Sequence, residues 1–440
     1  MPTPFRPPRS PTPRRSDPLS GGPMRARIVT LCAVPLTLAL AGAAPAHPAS
    51  AAGASRHAES RPGHQAHPLA RPLARPPAQA ARTSTRFAEV PLVSDVAGKA
   101  AVTDPKLVNP WGLAMGATLW VSNAGTGTAT VYTGGAGAVK KAPTTVAIPG
   151  GTPTGQVAYT GNAFTIKGRA GTAPASFIFS SPSGAITAWS AKADPGNAVI
   201  AAFTRGADYK GLALMNTNRG TFLLAPSFSH RRVHVFDEDF RRVRLSNRQF
   251  RDPSLPVRYS PFNVEIVGDS VMVAYARRDP GTGKPVAGRG NGFVSVFTAD
   301  GRFVRRLASR GPLNAPWAMT LAPQGFGAYA GALLVGNFGD GWINAYNPRT
   351  CRYLGPLRRA DGGAIALEGL WDLEPGTAGN GGTDAVWFSA GVSKARHGLL
   401  GLIRPATAGG AASPSAAPSP SPSPSAAHRH GSGAGSGYSY

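Results

Sequence analysis

The chain has 440 residues, among them 55 glycines, 43 prolines and two cysteines, and its formal net charge is +25. The two cysteines, Cys32 and Cys351, form neither a CxxC pair nor a zinc-type spacing, which excludes a cysteine-based metal site. Cys32 lies in a segment that we expect to be removed, so an intrachain disulfide is excluded as well.

The first 86 residues are rich in proline, alanine and arginine and are too poor in apolar residues to bury a core. Within them, residues 24–52 are predicted to be a signal peptide, because a basic start precedes an apolar run and small-residue cleavage candidates. Residues 1–23 form an N-terminal extension, and the sequence leaves open whether translation begins at Met1 or at Met24. Residues 53–86 are predicted to be disordered. We therefore expect a protein that is secreted or loosely associated with the cell wall.

One phrase recurs along the middle of the chain. A proline, an aromatic residue and small or apolar residues lead into an apolar strand, a polar glycine-rich turn and a second strand. The phrase begins at Asn109, Ser260 and Ala315. Self-similarity at a period of about 40–55 residues is typical of stacked copies of one supersecondary unit. Short strands without helical periodicity favour the blade of a β-propeller.

The same unit occurs six times in residues 87–403, which predicts an all-β, six-bladed β-propeller of four-stranded antiparallel blades. The units lie near residues 107–150, 154–189, 209–236, 260–307, 314–357 and 367–403. We expect the strand at 90–93 to be the outer strand of the last blade and so to protect its edge. Asp340 and Gly341 are predicted to form a hairpin turn. Residues 404–440, rich in serine, proline and glycine, are predicted to be a disordered tail.

Several stretches resemble an uncharacterised family of exported bacterial six-bladed β-propellers, which is similar in layout to NHL-repeat and TolB-like propellers. The resemblance covers nearly all of 87–403, with its motifs at 103–113, 209–213, 333–341, 368–371 and 397–401. It implies the propeller fold and export, and it implies no assigned reaction. Residues 392–396 are basic where members of the family often carry acidic residues, which weakens a metal role for that loop.

The inner strands of a propeller surround a central channel, and its mouth is the expected ligand site. Aligning the units places eight residues at or near the starts of the inner strands: Asn109, Trp111, Gln156, Lys210, Asn263, Asn314, Trp317 and Glu368. Such a ring of amides, one ammonium and one carboxylate is suited to a sugar or a hydrated cation, and the two tryptophans are suited to stack on a sugar. In the alternative interpretation, the same residues cap strands and line a water-filled channel.

These features favour a monomeric, non-enzymatic binding or scaffolding protein at the cell surface. It would take a small molecule, a glycan or a protein at the channel mouth. The alternative is a calcium-dependent hydrolase or lactonase of the six-bladed propeller type, with Glu368 as a metal ligand and Asp340 or Asp372 as further candidates. Calcium takes six to eight oxygen ligands, usually with several carboxylates. One well-placed carboxylate therefore supplies too few of the ligands for a calcium site. No other cofactor is expected.

The segment 231–251 is dense in arginine and indicates a second alternative, the binding of a polyanion such as an anionic cell-wall polymer by a basic face. The same arginines are also typical of a solvated strand edge, where positive charge discourages edge-to-edge pairing. His230 and His234 fall on one face of a strand, and no carboxylate is spaced with them to complete a zinc site.

Overall fold

A computed structural model of the protein describes residues 84–406. Nearly all regular structure in this range is β-strand, in six main sheets that follow one another along the chain. The inner strands of neighbouring sheets contact one another in a closed circle, so the predicted six-bladed β-propeller is confirmed. The predicted extension 1–23, the predicted signal peptide 24–52 and most of the segments 53–86 and 404–440 lie outside the described residues.

Two strands precede the first blade: β1 (Phe87–Ser94) and β2 (Val102–Thr103). β1 pairs antiparallel with the last strand of the described chain, and β2 pairs in parallel with the end of β1. The first strand is thus the outer strand of the last blade, as predicted for the strand at 90–93. Backbone hydrogen bonds between the two ends of the described chain therefore close the ring.

The first three blades follow in chain order. The first blade contains β3 (Pro110–Met115), β4 (Leu119–Asn123), β5 (Thr128–Thr133) and β6 (Lys140–Ala147). The second contains β7 (Gln156–Ala158), a separate hairpin of β8 (Thr165–Lys167) and β9 (Thr172–Pro174), and then β10 (Phe177–Ser180), β11 (Ala185–Trp189) and β12 (Val199–Phe203). The third contains β13 (Ala213–Thr217), β14 (Gly220–Ser227) and β15 (Arg232–Phe236).

The last three blades complete the ring. The fourth contains β16 (Tyr259–Val267), β17 (Ser270–Arg277), β18 (Gly292–Thr298) and β19 (Phe303–Ser309). The fifth contains β20 (Pro316–Leu321), a 3-10 turn at Gly327–Tyr329, β21 (Leu333–Asn337), β22 (Ile343–Tyr346) and β23 (Tyr353–Pro356). The sixth contains β24 (Leu370–Pro375), β25 (Val386–Ala390), the helical turn α1 (Val392–Ala395) and β26 (Leu399–Pro405), which pairs with β1.

The predicted four-stranded antiparallel pattern is confirmed in five of the six blades, and the third blade departs from it. This blade has three strands in its sheet, and a single bridge between Phe236 and Arg242 stands where a fourth strand would pair. The unit of this blade was predicted to begin near residue 209, and its inner strand begins at Ala213. Within the described residues, no helix is long and apolar enough to cross a membrane.

The apolar core lies between neighbouring blades and continues around the ring. Val121 of the first blade, for example, belongs to one buried cluster with Trp387 and Leu402 of the last blade. β-Branched and aromatic side chains suit these interfaces because they pack well on pleated sheet surfaces.

The recurring proline–aromatic phrase produces a repeated local structure. β3, β16 and β20 each carry a β-bulge close to their proline, at 110–113, 261–263 and 316–318, and β24 carries one at 370–373. A bulge bends the strand and re-aims its side chains. In these four blades it accompanies an aromatic ring that joins one cluster where the inner strands begin.

Candidate functional site

An aromatic cluster closes the channel at the end where the inner strands begin. Trp111, Phe262, Trp317 and Trp371 come from four different blades, and each is at most 2% exposed. Trp111 stacks on Trp371 with ring centroids 3.3 Å apart, and Trp317 meets both rings edge-on at 6.2 and 6.0 Å. The two predicted sugar-stacking residues, Trp111 and Trp317, thus lie buried inside this aromatic plug, where their faces pack against protein.

Two of the predicted amide residues join neighbouring blades. Gln156 Nε2 of the second blade donates to the carbonyl oxygen of Gly112 in the first blade at 2.7 Å. Asn263 Nδ2 of the fourth blade donates to the carbonyl oxygen of Trp317 in the fifth blade at 2.9 Å. Both amides are nearly fully buried. Their donors satisfy backbone groups that would otherwise be unpaired in the interior.

Asn109 and Lys210 also lie beside the plug. Asn109 Oδ1 accepts a hydrogen bond from Trp371 Nε1 at 3.1 Å. Lys210 is buried, its Nζ lies 2.9 Å from Asp208 Oδ1, and the same nitrogen lies 5.5 Å from the centre of the Trp111 ring. The predicted ammonium is therefore held by a carboxylate and by an aromatic face.

Asn314 and Glu368 occupy loops between blades, and neither lines the central cavity described below. Asn314 Nδ2 donates to Asp340 Oδ2 at 3.0 Å. Asp340 also accepts from the backbone N–H of Trp342, so it holds the predicted turn. Glu368 is exposed, and its Oε1 accepts from the backbone N–H of Lys394 in α1 at 3.1 Å.

The inner strands approach each other so closely beside the plug that two positions require glycine. A Cβ atom on Gly155 would lie 2.4 Å from the backbone of Gly211, and one on Gly112 would lie 2.5 Å from the carbonyl oxygen of Thr154. Backbone atoms directly before an inner strand cannot give way as a flexible side chain can. The blades are therefore locked together at this end of the channel.

Beyond the plug, the channel widens into a cavity of about 220 Å³ that all six inner strands line. Gln156, Asn263 and Trp317 of the predicted channel mouth line it, and so does Asp372, which was named as a further metal-ligand candidate. Three carboxylates from two blades share the cavity: Glu265 on β16, and Asp372 and Glu374 on β24. Among the described residues that line this cavity, none is a lysine, an arginine or a histidine. We call Glu265, Asp372 and Glu374 the acidic trio.

Hydrogen bonds to the first blade hold two members of the acidic trio. Asp372 Oδ2 accepts from the backbone N–H of Leu113 at 2.8 Å, and Glu374 Oε1 accepts from that of Met115 at 3.2 Å. Both side chains line the cavity from β24, and the charge of Asp372 acts on Glu374, so the two carboxyl groups lie near each other.

Enclosure by the blades makes these carboxyl groups hard to ionise. Burial raises the pKa of Asp372 to about 7. Burial and the negative charge of Asp372 raise the pKa of Glu374 to about 8. Burial, followed by the charges of Glu374 and Asp372, raises the pKa of Glu265 well above its ordinary value. The cavity therefore favours bound protons or another positive charge over three bare carboxylates.

Sequence reasoning missed Glu265 and Glu374, although the repeat holds a signal for them. Each lies three residues after the aromatic residue of its phrase, Phe262 or Trp371. Aligning the inner strands on that aromatic residue rather than on the strand starts would have placed both glutamates at one level of the channel.

The residues proposed as calcium ligands lie in three different surroundings. No three of the histidine, cysteine, aspartate and glutamate side chains in residues 84–406 form a group that could hold a metal ion. Glu368 faces solvent beside α1, Asp340 holds a turn, and Asp372 receives two backbone N–H groups. Calcium takes six to eight oxygen ligands around one position. The carboxyl groups of these three residues do not face one common position.

The sequence is similar to two proteins of Acanthamoeba polyphaga mimivirus, each named only as an uncharacterized protein. It is 34% identical to R648 over 324 residues, which cover 71% of this chain and 78% of that protein. It is 32% identical to L690 over 326 residues, which cover 70% of this chain and 83% of that protein. These relatives are viral, so the bacterial source and the export implied by the resemblance stay predictions.

Solved structures give more distant matches. The gluconolactonase XC5397 of Xanthomonas campestris matches with a TM-score of 0.35 and 15% identity, over 51% of this chain and 82% of that one. Sqt1 of Saccharomyces cerevisiae matches with a TM-score of 0.40 and 10% identity, over 69% of this chain and 83% of that one. Neither match bears on function. No family model matches the sequence. On the identity and coverage of its viral relatives, the chain belongs to one family with R648 and L690, and its fold is a six-bladed β-propeller.

Proposed function

We propose that the protein is a binding protein whose central cavity takes a small cationic ligand that carries a primary ammonium group. One observation carries this proposal. The acidic trio of Glu265, Asp372 and Glu374 shares a cavity in which no described lining residue is basic.

The physical argument concerns the cost of charge inside the ring. Like charges in an enclosed, weakly screened cavity repel one another, and each carboxylate loses part of its hydration. A bound ammonium group relieves both costs, because it supplies opposite charge and up to three N–H donors. The backbone N–H groups of Leu113 and Met115 hold Asp372 and Glu374 in place before the ligand arrives. Preorganised acceptors of this kind favour affinity.

The aromatic plug determines from which end of the channel a ligand enters under this proposal. Trp111, Trp317 and Trp371 fill the channel where the inner strands begin. Entry is therefore expected from the opposite end, near Met115 and Glu374. The predicted mouth, with its ring of amides, is the closed end under this proposal, and the ligand contacts lie deeper along the strands.

Titration calorimetry of the full chain with 1,4-diaminobutane tests the proposal. Binding requires ionised carboxylates, so we expect affinity to rise between about pH 6 and about pH 9, where the amine keeps its charge. Glu374→Gln removes one charge and keeps an acceptor for Met115. We expect it to weaken binding by about ten-fold or more, since removal of one partner of a buried charge pair costs a few kcal/mol.

The matched control is Glu368→Gln, an exposed carboxylate outside the cavity, which is expected to leave the affinity within about two-fold. Absence of amine binding across this pH range, or equal affinities for the Glu374→Gln variant and the unchanged protein, would refute the cavity as an amine site. The same control addresses the lactonase alternative. That alternative requires a calcium-dependent activity which chelation and Glu368→Gln both abolish.

Export to the cell surface and a monomeric state stay part of the proposal. Export rests on the signal-like segment 24–52, in which a basic start precedes an apolar run. Mass spectrometry of the protein recovered from cells and from medium would test export. We expect a mature chain in the medium that begins near residue 53. Recovery of the uncleaved chain from the cell interior alone would contradict it.

A further inference from the structure

A basic cleft lies between the third and fourth blades, in a cavity separate from that of the acidic trio. After β15 the segment 237–258 forms no strand, and it stays on the blade through the bridge from Phe236 to Arg242 and the hydrogen bond from Val243 N to the carbonyl oxygen of Val235 at 2.8 Å. A cavity of about 520 Å³ opens between this segment, the edge of β15 and the strands β16 and β17. The missing fourth strand of the third blade thus leaves a space at the surface.

Five arginines line this cleft with exposed side chains: Arg231, Arg232, Arg242, Arg244 and Arg251. Salt bridges within 4.0 Å occur elsewhere among residues 84–406, and none of them involves these five. Unbalanced positive charge around a concave surface attracts and concentrates anions.

The acidic residue that lines the cleft does not offset this charge. Asp252 is buried, and its two oxygens accept from Arg306 Nε at 2.6 Å and Nη2 at 3.0 Å, while Ser295 adds a third hydrogen bond. Burial opposes ionisation, but the hydrogen bonds from Arg306 and Ser295 hold the pKa of Asp252 below its ordinary value. The charge of Asp252 is therefore balanced by Arg306 of β19.

Two neutral histidines add hydrogen-bonding capacity on the same wall. The rings of His230 and His234 lie 5.2 Å apart, and His234 Nδ1 lies 2.8 Å from the hydroxyl of Tyr209. Burial, followed by the charge of Arg242, lowers the pKa of His234 to about 3 and lowers that of His230 in the same way. Neutral imidazole still offers an N–H donor.

A buried hydroxyl also lines the cleft. Tyr275 is 2% exposed, and its hydroxyl has no hydrogen-bond partner within the part of the chain that the structure describes. A buried polar group without a partner costs free energy, so native structures rarely leave one unless something else satisfies it. Because Tyr275 lines the cleft, a ligand oxygen that reaches its hydroxyl would supply that partner.

We propose that this cleft binds a ligand that carries two or more adjacent phosphate groups. The guanidinium fork matches phosphate oxygens in pairs and keeps its charge at all accessible pH values. Five guanidinium groups carry more positive charge than one carboxylate can balance. A compact anion with several negative charges would balance it. A solvated strand edge would account for arginines but not for a cavity with a buried, unpartnered hydroxyl at its wall. The site differs from the proposed amine cavity in place and in sign of charge.

Calorimetric titration of the full chain with inorganic tripolyphosphate tests the proposal. The cleft variant carries Arg242→Gln, Arg244→Gln and Arg251→Gln. The control variant carries Arg219→Gln, Arg289→Gln and Arg352→Gln, which are exposed, lie in other turns and remove the same charge. Arginines outside the described residues are common to both variants, so their contribution cancels in the comparison. We expect one tripolyphosphate per chain, at least about ten-fold weaker binding in the cleft variant, and a change under about two-fold in the control.

Tyr275→Phe separates a ligand role from a structural one. We expect it to weaken tripolyphosphate binding by about three-fold or more while leaving the melting temperature of the free protein equal or higher, because it removes an unsatisfied buried hydroxyl. Equal binding by the cleft and control variants would overturn the proposal, and so would a total absence of tripolyphosphate binding. A single-stranded oligonucleotide that binds where tripolyphosphate does not would also overturn it, since it would indicate a diffuse polyanion surface.

Discussion

The backbone N–H of Leu113 in the first blade lies 2.8 Å from Asp372 Oδ2 in the last blade. This hydrogen bond crosses the joint where the ring begins and ends, and Met115 and Glu374 make a second one beside it. The carboxylates that give the cavity its charge also tie the last blade to the first. Ligand binding and ring stability therefore share the same groups.

Glu374→Gln is expected to change how stability depends on pH. Because the folded protein raises the pKa of Glu374 from 4.5 to about 8, it holds this proton more tightly than the unfolded chain does. Stability from this group is present below about pH 4.5 and is lost as pH rises through about 8. We expect the variant to melt higher than the unchanged protein at about pH 9 and similarly at about pH 4.5. A constant offset between the two melting curves at every pH would contradict this.

His234→Asn is expected to act at the opposite end of the pH scale. The pKa of His234 is lowered from 6.5 to about 3 in the folded protein. Between these two pH values the unfolded chain binds a proton on this histidine and the folded protein does not. The neutral imidazole therefore favours folding fully above about pH 6.5, and this contribution falls as pH drops toward 3. The melting temperature of the variant should fall less between about pH 7 and about pH 4.5. An equal fall in both proteins would show that another group titrates there.

Trp371→Ala is expected to remove the centre of the aromatic plug. Trp371 is fully buried and stacks on Trp111 and Phe338. Loss of such a side chain costs about 3–5 kcal/mol of unfolding free energy. Trp342→Ala is the control, because Trp342 is 37% exposed, and we expect a loss of about 1 kcal/mol or less. Denaturant unfolding measures both, and similar losses would mean that the plug does not stabilise the ring.

Gly155→Ala is expected to disturb the packing of the second blade against the third. Its Cβ would lie 2.4 Å from the backbone of Gly211, which cannot move without shifting the inner strand. We expect a loss of about 3 kcal/mol, at the upper end for an overpacked site. Gly379→Ala adds the same methyl group where nothing lies within 4 Å, so its melting temperature should stay the same. A well-folded Gly155→Ala variant of unchanged stability would disprove the close approach.

The fold was predictable because its signals repeat. Three of the bulged inner strands, β3, β16 and β20, each carry their own proline and aromatic residue, as at Pro110–Trp111 and Pro316–Trp317. A pattern that occurs three times seldom arises by chance. The closing strand was predictable from its place before the first unit. The absence of a fourth strand from the third blade was not predictable. The segment 237–258 is polar and irregular in sequence, as an ordinary loop between two strands would be.

The site was less predictable for a physical reason. Sequence places Gln156 and Asn263 near the axis, but it does not tell whether an amide faces a ligand or a neighbouring backbone. Here the amide of Gln156 donates to a backbone carbonyl of the preceding blade, and that of Asn263 donates to one of the following blade. Glu265 and Glu374 were missed because an acidic residue in a strand normally faces water. Only the closed ring turns the inner faces of β16 and β24 into a shared cavity.

The pairing of β1 with β26 has a consequence for the order of folding. Ser84 and Ala406, which are joined by a hydrogen bond beside this pairing, are 322 residues apart in sequence. During synthesis the first strand leaves the ribosome long before its partner exists, and it exposes an unpaired apolar edge for that whole interval. The last blade can assemble only when residues 399–405 are available, so ring closure is a late step. Contacts of such long range are also slow to form.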